Sequence, residues 1–207
     1  MALSPVEAIM IFVVLLFSVI LHEVAHGYTA LRLGDPTARD AGRLSLNPIK
    51  HIDPFGTVVL PLLLHFSHSP ILIGWAKPVP VNPHLLREPN KAMMLVAASG
   101  PLTNITLAVL FALGLRNLPA STVPPFVVIL VSSCYINIIL ALFNLVPVPP
   151  LDGSKLLAGL LPARLRESYL RFGRYGIFIV LPLVYLAMKY GVLTTIVERI
   201  FYILVRA

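Results

Sequence analysis

The chain has 207 residues, 57% of them hydrophobic and only 12% charged, with a mean hydropathy of +0.88. That balance excludes a soluble domain and indicates an integral membrane protein. The formal charge of +7 comes from 16 Lys and Arg scattered between apolar runs without aromatic interleaving, so it reads as a topology signal and no nucleic-acid partner is expected.

Apolar segments fall at about 5 to 31, 57 to 74, 91 to 117, 123 to 146, 171 to 190 and 192 to 206, and roughly 20 residues are needed to cross a bilayer. The expected fold class is an all-α polytopic membrane protein of about five or six helical segments, forming a single domain over 1–207. The N-terminal run lacks a basic leader region and a cleavage site and is read as a retained helix. Inside it lies "LFSVILHEVAHGYTALRLG", which carries His22, Glu23 and His26. An ionisable group near a bilayer's centre costs roughly 2.5 to 3.5 kcal/mol, so these three need compensating partners.

Next, "ARDAGRLSLNPIKHIDPFG" alternates through Arg43, Leu44, Ser45, Leu46 and Asn47, which predicts a small β-hairpin beside the membrane. The segment 57–74 holds Pro61, His65, His68 and Pro70 and is doubtful as a span. "GWAKPVPVNPHLLREPN" and "NLVPVPPLDG" are Pro-rich extended loops. The last segment is short and contains Glu198 and Arg199. Cys134 stands alone in an apolar run, which offers no disulfide or redox pair and reads as a small buried hydrophobe.

The charges decide whether 57–74 crosses. If it does not, Arg32, Arg39, Arg43, Lys50, Lys77, Arg87, Lys91, Lys155, Arg164, Arg166, Arg171 and Arg174 share one side, leaving Arg116 and Lys189 opposite. If it does, Arg32, Arg39, Arg43 and Lys50 change sides and the split falls to eight against six. The positive-inside rule selects the first arrangement. The expectation is therefore a re-entrant or membrane-edge segment, an outside N-terminus and cytoplasmic loops.

His22 and His26 are four apart, one helical turn, so both imidazoles can reach one metal ion. With Glu23 they form H-E-x-x-H, in which two histidines bind zinc and the glutamate is a general base. The alternative is a buried hydrogen-bonded cluster that packs helices. A hydrolytic zinc site needs a third protein ligand. His51, His65, His68 and His84 lie in loop-like contexts and read as structural or surface groups. Asp152 ends "NLVPVPPLD" on irregular backbone, which at membrane depth must line a cavity or be packed in protein. In the non-crossing topology Asp152 emerges on the same side as His22 and His26; in the crossing topology it does not.

Those residues carry a family resemblance. "LHEVAHGYTALRLGD" and "NLVPVPPLDG" resemble the two metal motifs of the site-2 proteases, intramembrane zinc metalloproteases, and "AKPVPVNP" and "AASGPLTN" are similar to segments of short prokaryotic members. The resemblance covers about residues 8–160, in the minimal form without a PDZ or CBS domain; residues 165–207 carry no family motif. It implies an integral membrane peptidase with Zn2+ held by His22, His26 and Asp152, Glu23 as catalytic base, and hydrolysis of transmembrane protein substrates in or near the bilayer. It also implies a substrate or oxyanion role for Asn104, against the plainer reading of an amide that joins helices. Asn144 could orient the Asp152 loop or simply pack, and the Arg43 to Asn47 stretch could offer a strand edge to substrate or be a surface hairpin. The rival from another class is a non-catalytic metal transporter or sensor, with a catalytically dead scaffold and a haem-binding bundle behind it. The helices at 91–117 and 123–146 have few polar residues, which argues against a transport path.

Overall fold

Among the described residues, three helices are long and apolar enough to cross a membrane. The structure, a computed structural model, describes residues 4–67, 75–119 and 121–206. Helix α1 (Pro5–Arg32) opens on Ser4, whose hydroxyl accepts from the Glu7 N–H while the Glu7 carboxylate accepts from the Ser4 N–H, with Pro5 in the first turn. That reciprocal cap satisfies two donors the helix cannot pair internally. At 28 residues, α1 is roughly 42 Å long, more than the ~30 Å hydrocarbon core. Helix α2 is the short Thr37–Asp40. Here Asp35, fully buried, accepts from the Thr37 N–H and hydroxyl and from the Asn82 N–H. Burial alone would raise its pKa, but these hydrogen bonds outweigh burial and hold it below the ordinary value.

Beyond a 3₁₀ turn at Pro48–His51, a π-helical turn (Pro54–Val59) runs into α3 (Leu60–Phe66). Thirteen residues of helix extend at most ~20 Å, too short to cross. The chain comes back to where it left: the Trp75 N–H donates to the Gly56 carbonyl at 3.1 Å, and the Thr57 hydroxyl donates to the Trp75 carbonyl at 2.8 Å. His68 and the remainder of this excursion, residues 68–74, lie outside the described residues.

Helices α4 (Pro89–Arg116) and α5 (Pro124–Asn144) are the other two long spans. They pack on each other and on α1 through small residues, among them Ala97, Gly100, Ala108, Ala112, Ser133, Cys134 and Ala141. Small side chains let backbones approach, which is how membrane helices gain contact when lipid is as apolar as the partner. The large apolar groups face outward instead, Phe12 at 59% exposure and Leu110 at 57%. Helices α6 (Asp152–Leu160) and α7 (Ala163–Phe172) follow, then α8 (Gly176–Lys189) and α9 (Val192–Arg206). The last two are bent by 70° at Gly191, whose φ of +67° suits glycine. The inner face of α9 closes the α4–α5 pair, with Val197 against Ala108, Ala112, Cys134 and Ile138.

Two expectations are corrected. No strand occurs among the described residues, so the hairpin is absent. Residues Arg43–Asn47 run without a ladder because side chains stitch them instead: the Arg43 guanidinium donates to the Lys77 carbonyl and the His51 imidazole to the Ser45 carbonyl. Their extended neighbour carries Pro78 and Pro80, which have no N–H to give a sheet. The helix count is also larger, nine α-helices among the described residues. The extra ones, α2, α6 and α7, are short and sit in stretches that counting apolar runs of spanning length cannot register.

Residues beyond 165 have a structural task. The Tyr169 hydroxyl donates to the Pro147 carbonyl at 2.7 Å. A Cβ on Gly176 would overlap the Pro149 carbonyl, and one on Gly173 would press the Pro149 ring. The α7–α8 junction is thus packed backbone to backbone against the loop that ends at Asp152.

Candidate functional site

One turn of α1 sets His22 above His26, and the start of α6 brings Asp152 to them across 130 residues of chain. All three are buried. The Nε2 atoms of the two imidazoles are 3.0 Å apart, and Asp152 Oδ2 is 3.1 Å from His22 Nε2 and 3.0 Å from His26 Nε2. Among the described residues this is the one His/Cys/Asp/Glu group whose ligand atoms converge closely enough to hold a metal.

The other ring nitrogens decide what those atoms are. His26 Nδ1 lies 2.6 Å from the Val96 carbonyl, which only accepts, so the proton sits on Nδ1. His22 Nδ1 lies 2.6 Å from Asn104 Oδ1 and carries its proton for the same reason. Two imidazole lone pairs and a carboxylate oxygen then face one point with no donor among them, a set that needs a cation. Tetrahedral zinc with bonds of ~2.0 to 2.1 Å would separate its ligand atoms by roughly 3.3 Å, close to the triangle observed. The donor set fits zinc. The second carboxylate oxygen, Oδ1, accepts from Lys155 Nζ at 2.9 Å.

The site is held from three sides. Gly100 of α4 faces both imidazoles: a Cβ there would lie 2.5 Å from His26 and 2.6 Å from His22. Gly153 lets the start of α6 rest on the Leu145 and Val146 carbonyls, where a Cβ would overlap. The third side is the extended stretch after Trp75. Its Val79 N–H donates to Glu23 Oε2 at 2.8 Å, and its end is pinned by Asn82 on Asp35. Together these enclose a cavity of about 320 Å³ whose wall includes His22, Glu23, His26, Val79, Asn144, Asp152 and Lys155.

The sequence profile described as "Peptidase family M50" matches residues 117–187. A relative from Bacillus subtilis (strain 168), named "Putative zinc metalloprotease YwhC", is 38% identical over 181 residues, covering 83% of this chain and 78% of its own length. The chain belongs to peptidase family M50, the site-2 protease family. This M50 protein is accordingly a zinc metalloprotease with several membrane helices. It is also similar to proteins of the same designation called Rip2, at 32% identity in Mycolicibacterium smegmatis and 30% in Mycobacterium tuberculosis (strain H37Rv). Those alignments take in 73% and 67% of this chain but only 58% and 52% of the Rip2 proteins. No solved structure matches.

The residues read from the sequence are distributed unequally. His22, His26, Glu23 and Asp152 border one cavity. Asn104 is fully buried and is not on the cavity wall; its amide is spent on His22 and on Asn137. Asn144 does reach the wall, with its Nδ2 donating to the Leu140 carbonyl of its own helix. His51 is buried in the loop before the π-helical turn and His84 is exposed. Sequence reasoning passed over Gly100, Lys155 and the Val79 N–H, although "AASGPLTN" and "AKPVPVNP" already stood out as stretches.

Gly100→Ala should leave a folded protein with a damaged centre. Displacing two packed imidazoles costs about 1 to 3 kcal/mol, so zinc affinity should fall about tenfold to a hundredfold, as measured by competition with a chromogenic chelator.

Proposed function

We propose that this M50 peptidase is an intramembrane endopeptidase that hydrolyses peptide bonds in or near transmembrane segments of membrane-protein substrates, with His22, His26 and Asp152 holding the zinc and Glu23 as general base. The observation that carries the reading is the triangle of three acceptor atoms at 3.0 to 3.1 Å, buried between membrane-spanning helices and opening on a cavity that also holds a carboxylate. Zinc, when bound, would lower the pKa of water to about 7 and would polarise the scissile carbonyl.

The chain's own groups do the remainder. Glu23 keeps one carboxylate oxygen on the Val79 N–H and uses the other to take the proton of the attacking water, passing it to the leaving amine. Val79 thereby fixes the direction of the base. Lys155 Nζ occupies Asp152 Oδ1, which leaves Oδ2 as the ligand oxygen. Its side chain is 41% exposed, so an ammonium stands at the edge of the cavity on that side. Of the two asparagines, Asn144 is the one that lines the cavity, which places it to meet the developing oxyanion or the substrate backbone. A helical substrate has its carbonyls tied in i to i+4 bonds and must unwind locally before it can be cut.

We further propose one peptidase domain over 1–207, supported by the packing of Tyr169, Gly173 and Gly176 on the Asp152 loop. The N-terminus is outside and the site faces the cytoplasm. The pairing of Trp75 with Gly56 and the one-sided distribution of Lys and Arg support that orientation.

Two experiments test these readings. Reconstituted protein with a membrane-embedded substrate should lose cleavage on treatment with a zinc chelator and regain it when zinc is restored; cleavage indifferent to chelation overturns the metallopeptidase reading. With the native cysteine replaced, His84→Cys should react with a membrane-impermeant maleimide only from the cytoplasmic face. Labelling from outside overturns the orientation.

A further inference from the structure

A chain of polar side chains crosses three helices behind the site, away from the cavity. Ser18 and His22 sit one turn apart on α1, Asn104 on α4, and Ser133 and Asn137 on α5. Asn137 Nδ2 donates to the Ser133 carbonyl at 2.8 Å and to the Ser18 hydroxyl at 2.9 Å. Asn137 Oδ1 accepts from Asn104 Nδ2 at 2.8 Å, and Asn104 Oδ1 faces His22 Nδ1 at 2.6 Å. Asn104 and Asn137 have no exposed surface, and Ser133 has 1%.

The direction of every bond follows from one atom. A backbone carbonyl can only accept, so the Ser133 oxygen requires the NH₂ end of the Asn137 amide. Asn137 then turns its oxygen to α4, Asn104 must answer with its NH₂, and the Asn104 oxygen is left for His22. His22 is thereby obliged to carry its proton on Nδ1 and to present a bare Nε2 lone pair. Reversing either amide would set donor against donor or acceptor against acceptor, a mismatch that is costly between fully buried groups.

We infer that Asn137 is a positioning residue for the metal centre: acting through Asn104, it fixes the amide orientation that commits His22 to the Nδ1–H tautomer and points its Nε2 at the metal. The inference rests on the zinc site proposed above and adds a group that touches neither metal nor cavity. Groups that orient a metal-binding histidine typically contribute a factor of 10 to 100 in affinity. A residue that merely joined α4 to α5 would change thermal stability and leave that affinity alone.

The test is zinc affinity of the purified full chain, measured by chelator competition, with the melting temperature of the metal-free protein recorded beside it. Asn137→Leu should weaken zinc binding 10- to 100-fold. Asn137→Asp, kept protonated by burial, can donate its O–H to the Ser133 carbonyl while its other oxygen accepts from Asn104, and should stay within about threefold of the parent. Because the effect passes through Asn104, Asn104→Leu combined with Asn137→Leu should bind zinc no more weakly than Asn104→Leu alone. If Asn137→Leu is not recovered folded, Asn137→Ser, too short to reach Asn104, carries the same expectation. Parental affinity in Asn137→Leu or Asn137→Ser overturns the inference, as do effects of the two asparagines that multiply. A parent chain that binds no zinc would instead overturn the site assignment beneath it.

Discussion

Glu23→Gln is expected to retain zinc at the parental stoichiometry and to lose cleavage by about 10²- to 10⁴-fold, the usual contribution of a general base. Glutamine suits this question for a reason visible in the site. Glu23 Oε2 accepts from the Val79 N–H, and the amide oxygen of glutamine can accept the same bond, so the extended stretch over the cavity keeps its anchor while the base is removed. Glu23→Ala would remove both at once and confuse base with anchor. The measurement pairs elemental zinc analysis with cleavage of a membrane-embedded substrate by the same preparation. Turnover comparable to the parent would dismiss Glu23 as the base.

Asp152→Ala is expected to strip the metal rather than merely slow the chemistry. It leaves two imidazole nitrogens 3.0 Å apart without the anionic third ligand, and it leaves the Lys155 ammonium, 2.9 Å from Asp152 Oδ1 in the parent, with no counter-charge beside a cation site. Zinc affinity should therefore fall by more than about 100-fold, beyond what a supporting residue costs. Adding Lys155→Met to Asp152→Ala should restore part of the loss, because the repulsion goes with the ammonium. Full zinc occupancy in Asp152→Ala would mean that another group is the third ligand. His22→Ala should behave like Asp152→Ala in metal content, and unlike Glu23→Gln.

These variants separate roles that the sequence put on neighbouring letters. His22 and His26 were legible as a pair because helical periodicity is local: four residues make one turn, and no knowledge of the surrounding fold is required. The long spans were legible for the same reason, the predicted 91–117 and 123–146 answering to Pro89–Arg116 and Pro124–Asn144. Alternation at Arg43 to Asn47 was equally local, yet it specified only an extended chain. Whether extended chain becomes strand depends on a partner with free N–H groups, and the stretch beside it has prolines at 78 and 80. Asn104 shows the same limit at the site. Its helix was evident, but which way its amide turned depended on Asn137 and on the carbonyl of Ser133 in another helix.

By itself, then, the sequence determined a multi-pass helical membrane protein and an imidazole pair on one face of the first helix, and it pointed to Asp152, which the proposed centre takes as its third ligand. The first two rest on apolar run length, on a one-turn spacing and on the cost of polar groups in lipid, which act within a short segment; Asp152 was reached only through the charge topology of the whole chain and the resemblance to the site-2 proteases. Only the tertiary structure decided that Val79 holds Glu23, that Gly100 leaves room for two imidazoles, that residues 169–176 brace the Asp152 loop, and that a buried amide chain sets the His22 tautomer. Those are hydrogen-bond directions and backbone approaches between segments separated by tens to more than a hundred residues, and no periodicity in the chain encodes them.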